Sequence, residues 1–264
     1  MIQRYRRAAE LEEQSVSLLG TPNMEARTEH QKVKHYQLLY TLTTSIGIGT
    51  IILVLFWILY YQNGFAWQSL PRVQFNWHPL LMIIGMVFFY SQAMLIYRTG
   101  RNYQKNTLKL VHMSLNLLAF ILAVIALKAV FDSHNLTGTA NMYTLHSWIG
   151  LTTVIVFALQ FLAGFVTFLY PGLSPSIRKA LLPTHVAFGS GCFAGAIIAS
   201  ASGFLEKAIF QKIYDQNVTE GIVVNILGLS IAFFGVLVLH LVHNVDYKRV
   251  PLADDQIVLE RSDN

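Results

Sequence analysis

Apolar runs without any Lys, Arg, Asp or Glu alternate with short polar stretches along this chain. Six of these runs are long enough for a bilayer-spanning helix, which needs about 20 mostly apolar residues. The pattern therefore predicts six transmembrane helices. They cover Leu38–Tyr61, His78–Tyr97, Leu110–Phe131, Tyr143–Tyr170, Thr184–Leu205 and Ile222–His243.

The composition agrees with this pattern. Of the 264 residues, 54% are hydrophobic and only 12% are charged, whereas about 25% are charged in a typical soluble domain. We therefore predict an all-α membrane protein with its transmembrane domain over residues 37–245. Residues 1–36 and 246–264 are polar and are predicted to be mobile tails. The first tail lacks the apolar core of a cleavable signal peptide, so the first helix is expected to act as an uncleaved anchor.

The basic residues predict the orientation in the membrane. Six spans place both termini on one side, and that side carries 15 of the 19 Lys and Arg residues. The other side carries four, which are Arg72, Lys128, Lys207 and Lys212. Because cytosolic loops are enriched in positive charge, both termini are predicted to be cytosolic. Two glycosylation sequons begin at Asn135 and Asn217, and both fall in loops predicted to be non-cytosolic. Asn217 is the better acceptor because Asn135 is expected close to the membrane.

Four histidines lie at the starts of consecutive predicted spans. Ionisable residues inside a span are candidates for function because burying them without a partner is expensive. Helices two and four enter from the non-cytosolic side, so His78 and His146 are expected near that surface. Helices three and five enter from the cytosol, so His112 and His185 are expected near the other. Two pairs of imidazoles at two depths have the geometry of two bis-histidine haem sites.

Small residues beside the histidines leave space for a flat macrocycle. His185, Gly189, Cys192 and Ala196 follow one another on a single helix face. The chain has no C-x-x-C-H motif, so its haems are expected to be non-covalent, b-type groups. Cys192 is the only cysteine, which excludes disulfides within the chain and cysteine-ligated metal sites. Two axial histidines leave no open position on iron, which favours electron transfer over substrate chemistry at the metal.

Three functions remain open from the residues alone. The first is a dihaem oxidoreductase, and the second is a transporter that carries histidines and binds no haem. The third is a dihaem membrane-anchor subunit that passes electrons to a protein partner. A transporter of protons or cations usually needs acidic residues inside its spans, and here only Glu206 lies at the edge of one.

Several segments resemble the eukaryotic cytochrome b561 family of transmembrane ascorbate-dependent oxidoreductases. The resemblance covers roughly residues 57–212, and more loosely the sixth helix. The segments that carry it are FNWHPLLM, AMLIYRTGR, KNTLKLVH, ANMYTLHSW and LLPTHV. It implies a four-helix core of helices two to five that holds two b-type haems. It also implies that His78 pairs with His146 and His112 with His185 as iron ligands.

The resemblance further implies an ascorbate site on the cytosolic face. The matching positions are Tyr97, Arg98, Lys105, Lys109 and Arg178. The residues add independent support, because Lys105, Lys109 and His112 recur on one helix face and ascorbate is a monoanion at neutral pH. The alternative is that these basic residues are ordinary positive-inside anchors.

On the non-cytosolic face the resemblance implies a site for the electron acceptor, in the loop before His146. The matching positions are Phe131, His134, Asn135, Asn141 and Tyr143. The acceptor would be monodehydroascorbate or a ferric chelate, as in a transmembrane monodehydroascorbate reductase or ferric reductase. The resemblance implies a plasma, endosomal, lysosomal or secretory-vesicle membrane, and a homodimer is one assembly that it allows.

Overall fold

The structure, a computed structural model, describes residues 35–250, so most of both predicted tails lies outside the described residues. The prediction of six helices is confirmed. They are α1 (Tyr36–Tyr61), α2 (Pro71–Thr99), α3 (Lys105–Thr137), α4 (Leu145–Phe168), α5 (Pro175–Phe210) and α6 (Val218–His243). Each is long and apolar enough to cross a membrane, and residues 35–250 contain no β-strand. The chain is a multi-pass membrane protein.

Five of the six helices are longer than predicted, and α3 and α5 extend furthest beyond their predicted spans. The expected span Leu110–Phe131 is the middle of α3, and the expected span Thr184–Leu205 is the middle of α5. The prediction ended each span at charged or polar residues, but the hydrogen bonds of a helix continue through such residues outside the hydrocarbon layer. One consequence corrects the sequence analysis: Phe131, His134 and Asn135 lie on the last turns of α3 and not in the loop before His146.

Helix α2 is built from several segments. A short turn at Pro71–Gln74 precedes the α-helix Trp77–Met82, a π-helix at Ile83–Phe89 and the α-helix Tyr90–Thr99. Such π-helical segments occur frequently at functional sites. Here the segment contains Gly85, where a Cβ would come within 3.0 Å of a backbone oxygen of α3. Helices α2 and α3 are therefore packed backbone against backbone in the middle of the bundle.

Helices α2 to α5 form a closed four-helix core in which each helix packs against its two neighbours. Helices α1 and α6 pack against each other, and α6 also packs against α5. Large buried side chains such as Trp57, Phe193 and Phe234 fill the interior. Leu159 and Leu162 on α4 are more than half exposed, as expected for a helix surface that faces lipid.

The two ends of the bundle are named here by the chain termini. The terminal face is the end where α1 begins and α6 ends, and the opposite face is the other end. His112 and His185 lie toward the terminal face, while His78 and His146 lie toward the opposite face, as helix direction predicts.

Candidate functional site

The first histidine pair lies near the opposite face. His78 is in the first turn of the Trp77–Met82 segment, and His146 is in the first turn of α4, whose N-cap is Thr144. The two ring centroids are 6.2 Å apart and the rings are nearly perpendicular, at 87°. Two helices that are not neighbours in sequence therefore present their imidazoles to each other across the core.

The second pair lies near the terminal face and has the same spacing. His112 on α3 and His185 on α5 have ring centroids 6.2 Å apart, at an interplanar angle of 61°. The rings of Tyr97 and Phe168 lie beside this pair, at 5.6 Å from His112 and 5.1 Å from His185 respectively. Topology alone predicted that these histidines would share a depth, and the structure places their rings opposite each other across the core.

Backbone carbonyls orient three of the four imidazoles. The Nδ1 atom of His78 lies 3.3 Å from the Ala126 oxygen, that of His112 lies 2.7 Å from the Ala93 oxygen, and that of His146 lies 2.9 Å from the Ala199 oxygen. A hydrogen bond from Nδ1–H to a carbonyl selects the tautomer in which Nε2 is an acceptor. This arrangement is usual for histidines that bind a metal through Nε2.

The spacing fits an iron between each pair of rings. Two metal–imidazole bonds of about 2 Å, with about 1.1 Å from each nitrogen to its ring centre, give a centroid separation of about 6 Å. Both pairs match this value. Within residues 35–250 no three His, Cys, Asp or Glu side chains are grouped so that they could hold a metal ion themselves. Two protein ligands suit a metal that brings its own equatorial ligands, as haem iron does.

Two glycines make room for the imidazoles, and the sequence analysis did not assign them this role. A Cβ on Gly203 of α5 would lie 2.6 Å from the His146 Cε1 atom, and one on Gly164 of α4 would lie 3.0 Å from the His185 Cε1 atom. The signal for both was present in the sequence. Each glycine continues the small-residue face that begins at the histidine of its own helix, 18 residues earlier.

A cavity of about 510 Å³ opens beside the first pair at the opposite face. Four of the five residues predicted for the acceptor site line it, namely Phe131, His134, Asn141 and Tyr143. The fifth, Asn135, is not part of the lining, but its Oδ1 accepts a hydrogen bond of 2.7 Å from the Asn141 Nδ2 atom. The Asn141 Oδ1 atom lies 3.1 Å from the His134 Nδ1 atom. His134, Asn141 and Asn135 thus form a hydrogen-bonded group at the cavity, and Phe131 and Tyr143 contribute to its lining.

At the terminal face the structure brings together part of the predicted donor site. Lys109 and Arg178 are half-buried and interact electrostatically with each other, and Lys105 belongs to the same group. The Tyr97 ring lies between this face and His112. Lys179, next to Arg178, is exposed, as expected for an ordinary membrane anchor.

Arg98 makes contacts that the sequence did not indicate. Its guanidinium donates to the Asn244 oxygen at 2.8 Å and to the Val242 oxygen, so it caps the C-terminal end of α6. Arg101, in the loop after α2, is buried, and its guanidinium lies 4.7 Å from the centroid of the Tyr36 ring. Burial lowers the pKa of Arg101 below its usual value.

Arg249 is a further residue at the terminal face that the sequence analysis placed in a mobile tail. Its side chain donates to the Arg101 oxygen at 3.2 Å and to the Tyr103 oxygen at 2.9 Å. It also interacts electrostatically with Tyr97. The segment after α6 therefore contacts the loop between α2 and α3, beside the second histidine pair. No spacing in the sequence connects Arg249 to this loop.

The six-helix bundle and its two histidine pairs define the class, a helical membrane cytochrome. The family described as eukaryotic cytochrome b561 matches residues 77–211 of this chain. Similar proteins include the transmembrane ascorbate-dependent reductase CYB561 of Sus scrofa, 40% identical over 213 residues, which are 80% of this chain and 84% of the relative. The lysosomal membrane ascorbate-dependent ferrireductase CYB561A3 of Homo sapiens is 41% identical over 212 residues, 78% of this chain and 87% of the relative.

The corresponding ferrireductase of Danio rerio is 38% identical over 231 residues, which cover 84% of this chain and 93% of that protein. The alignments cover 84–93% of the length of these relatives. The chain belongs to the eukaryotic cytochrome b561 family, and the resemblance described from the sequence motifs is confirmed.

Proposed function

We propose that this protein is an ascorbate-dependent transmembrane oxidoreductase that moves single electrons from the terminal face to an acceptor at the opposite face. The observation that carries the proposal is the pair of imidazole sites, each with a 6.2 Å separation, at the two ends of one helical core. His112 and His185 would hold one b-type haem, and His78 and His146 would hold the other. When bound, the two haems supply one-electron redox chemistry.

At the terminal face the cationic residues would bind the donor. Lys105, Lys109 and Arg178 present positive charge to an ascorbate monoanion. Lys109 is about one helical turn before His112 on α3, so an anion held by Lys109 would lie close to the second histidine pair, beside which the Tyr97 ring also lies. Arg98 contributes to this site by fixing the end of α6. Ascorbate that gives up one electron also releases one proton, which can pass directly to water at this exposed face.

At the opposite face the cavity would receive the acceptor. His134, Asn141 and Asn135 form a hydrogen-bonded group, and Tyr143 and Phe131 complete the predicted lining. Monodehydroascorbate and ferric chelates are the two acceptor classes, in agreement with the reductase and ferrireductase names of the relatives. The Ala-rich face of α3, with Ala119, Ala123 and Ala126 fully buried, keeps water out of the core between the two sites.

The orientation follows from the positive charges. We propose that the terminal face is cytosolic, because among residues 35–250 it carries eight of the twelve Lys and Arg residues. The membrane would be the plasma membrane or an endosomal, lysosomal or secretory-vesicle membrane. The lysosomal location in the names of two relatives supports the intracellular membranes.

The test is a haem analysis followed by an electron-transfer assay in proteoliposomes. The purified protein should contain two b-type haems per chain, and ascorbate added at the terminal face should reduce them without any protein partner. A colourless preparation would support the haem-free transporter instead. Haem that ascorbate reduces only when a partner protein is added would support the anchor subunit.

Replacing one ligand tests the assignment of the pairs. His146→Ala should lower the haem content to one per chain. The remaining haem should still be reduced by ascorbate, because its ligands His112 and His185 lie toward the terminal face, away from His146. His243→Ala is the matched control, since this histidine is exposed and forms a hydrogen bond with the Ser190 hydroxyl. Two haems with unchanged spectra in His146→Ala would refute the assignment.

A further inference from the structure

Four basic residues lie toward the opposite face, and they differ in what surrounds them. Lys128 is ion-paired with Asp132 at 2.8 Å. Lys212 is exposed and lies outside the cavity. Arg72 and Lys207 both line the cavity, but Arg72 is exposed whereas Lys207 is half-buried. Lys207 is therefore the basic residue best placed to act inside the cavity.

The Lys207 ammonium rests on an aromatic surface that continues to the predicted acceptor residues. Its Nζ atom lies 4.1 Å from the centroid of the Phe75 ring. The Phe75 ring is in turn stacked with the His134 ring, with centroids 6.2 Å apart and an interplanar angle of 11°. A cation over the face of an aromatic ring is attracted by the negative potential of that face.

Within residues 35–250 the Lys207 ammonium forms no ion pair and no hydrogen bond. Glu220 attracts it at longer range, but the Glu220 carboxylate already accepts hydrogen bonds from Trp57 at 3.0 Å and Gln62 at 2.7 Å. Glu206, the carboxylate in the cavity lining, accepts a hydrogen bond from Thr144 at 3.1 Å. The cavity thus contains a positive charge whose nearby carboxylates are engaged elsewhere.

A helix-end lysine has a simpler explanation, because cations are favoured near helix C-termini and long side chains extend toward water at a membrane surface. Lys207 is in the last turn of α5. However, a side chain that extended to water would be exposed, as Lys212 is, and would not lie half-buried over Phe75 in the same cavity as His146.

We propose that Lys207 is the residue of the opposite-face site that recognises the negative charge of the electron acceptor. The inference rests on the proposed function and adds the residue that sets its charge preference. Both acceptor classes meet this requirement, because monodehydroascorbate is an anion and so are polycarboxylate chelates of Fe³⁺. Monodehydroascorbate takes up one electron and one proton and becomes the ascorbate monoanion. A ferric chelate takes up one electron and becomes the ferrous chelate, and ascorbate at the terminal face supplies the electron in both cases.

The main test compares two acceptors of opposite charge in stopped-flow reoxidation of the dithionite-reduced protein. In Lys207→Gln the second-order rate constant for ferricyanide should fall about tenfold, and that for hexaammineruthenium(III) should rise, because electrostatic attraction and repulsion act on association. The matched control is Lys212→Gln, which removes the same charge from the same face and should leave both rate constants within about twofold of wild type. Lys207→Arg keeps the charge and should behave as wild type. Equal effects of the Lys207 and Lys212 substitutions would overturn the proposal.

A binding measurement gives a second readout that needs no electron transfer. Hexacyanocobaltate(III) has the charge and shape of ferricyanide and is not reduced, so its binding can be followed by calorimetry. Wild type and Lys207→Arg should bind it, and Lys207→Gln should bind it at least tenfold more weakly. Equal binding to Lys207→Gln and wild type would refute the role of this lysine.

The two natural acceptor classes are separated by offering monodehydroascorbate and ferric citrate to each variant. If both acceptors react more slowly with Lys207→Gln, the cavity is a general anion site. If only one acceptor reacts more slowly, that anion is the occupant of the cavity. If neither acceptor is affected, the proposal is overturned. Reduction by ascorbate is measured separately at the terminal face. If ascorbate fails there, the proposed function fails, whereas the comparison of dithionite-reduced variants remains a test of Lys207.

Discussion

The contact between Gly203 and His146 gives a prediction whose size follows from the structure. In Gly203→Ala the new Cβ would lie 2.6 Å from the His146 Cε1 atom and 2.9 Å from Nδ1. Ordinary contacts begin at 3.4 Å, so the shortest distance is about 0.8 Å too small. The substitution must push the imidazole away from α5, which weakens the 2.9 Å hydrogen bond from Nδ1 to the Ala199 oxygen.

The energetic terms can be compared. Overpacking of this kind typically costs about 1–3 kcal/mol, and loss of the hydrogen bond costs about 1 kcal/mol more. The higher helix propensity of alanine offsets about 1 kcal/mol. The net destabilisation is about 1–3 kcal/mol, and it arises from the displacement of His146. The haem that His146 would hold should therefore be bound more weakly by roughly 10- to 100-fold.

Three alanine variants form a graded series for this assay. A Cβ on Gly164 would be 3.0 Å from His185, and one on Gly150 would find its nearest neighbour at 3.8 Å. Electron paramagnetic resonance should show two low-spin ferric haem signals in wild type. Gly203→Ala should weaken or shift one signal, Gly164→Ala should shift the other to a smaller extent, and Gly150→Ala should change neither. Two unaltered signals in Gly203→Ala, or the same change in Gly150→Ala, would refute the reasoning.

Two further substitutions test the terminal face and the far end of α6. Arg249→Gln removes a cation beside the donor site, so the KM for ascorbate should rise several-fold while reoxidation by the acceptor is unchanged. The control is Lys248→Gln, because Lys248 is exposed. Equal KM values in the two variants would contradict the assignment. Glu220→Ala leaves the buried Trp57 indole N–H without its acceptor, which costs about 1–3 kcal/mol. The thermal unfolding temperature in detergent should therefore fall. It should not fall in Asp215→Ala, which removes an exposed carboxylate from the segment just before α6.

The six helices and the depths of the four histidines could be predicted from the sequence, because both depend on apolar length and chain direction alone. Helix direction puts His78 and His146 at one depth without any knowledge of packing. The positions of Lys207 and Arg249 could not be predicted in the same way. Lys207 was one of a few basic residues on its side, and its place over Phe75 depends on how α5 and α2 pack. Arg249 reaches its carbonyl partners across nearly 150 residues of sequence, a contact that no local pattern encodes.

The equal spacing of histidine and glycine on α4 and α5 explains how one pair of helices serves both ends of the bundle. His146 and Gly164 are 18 residues apart on α4, and His185 and Gly203 are 18 residues apart on α5. At 3.6 residues per turn this is about five whole turns, so each histidine and its glycine lie on one side of their helix. Because α4 and α5 run in opposite directions, each glycine meets the histidine of the other helix.

The level of His146 and the level of Gly164 are about 27 Å apart along α4. This separation is close to the thickness of the hydrocarbon layer, about 30 Å. The depth of each imidazole is therefore set by the partner helix as well as by its own.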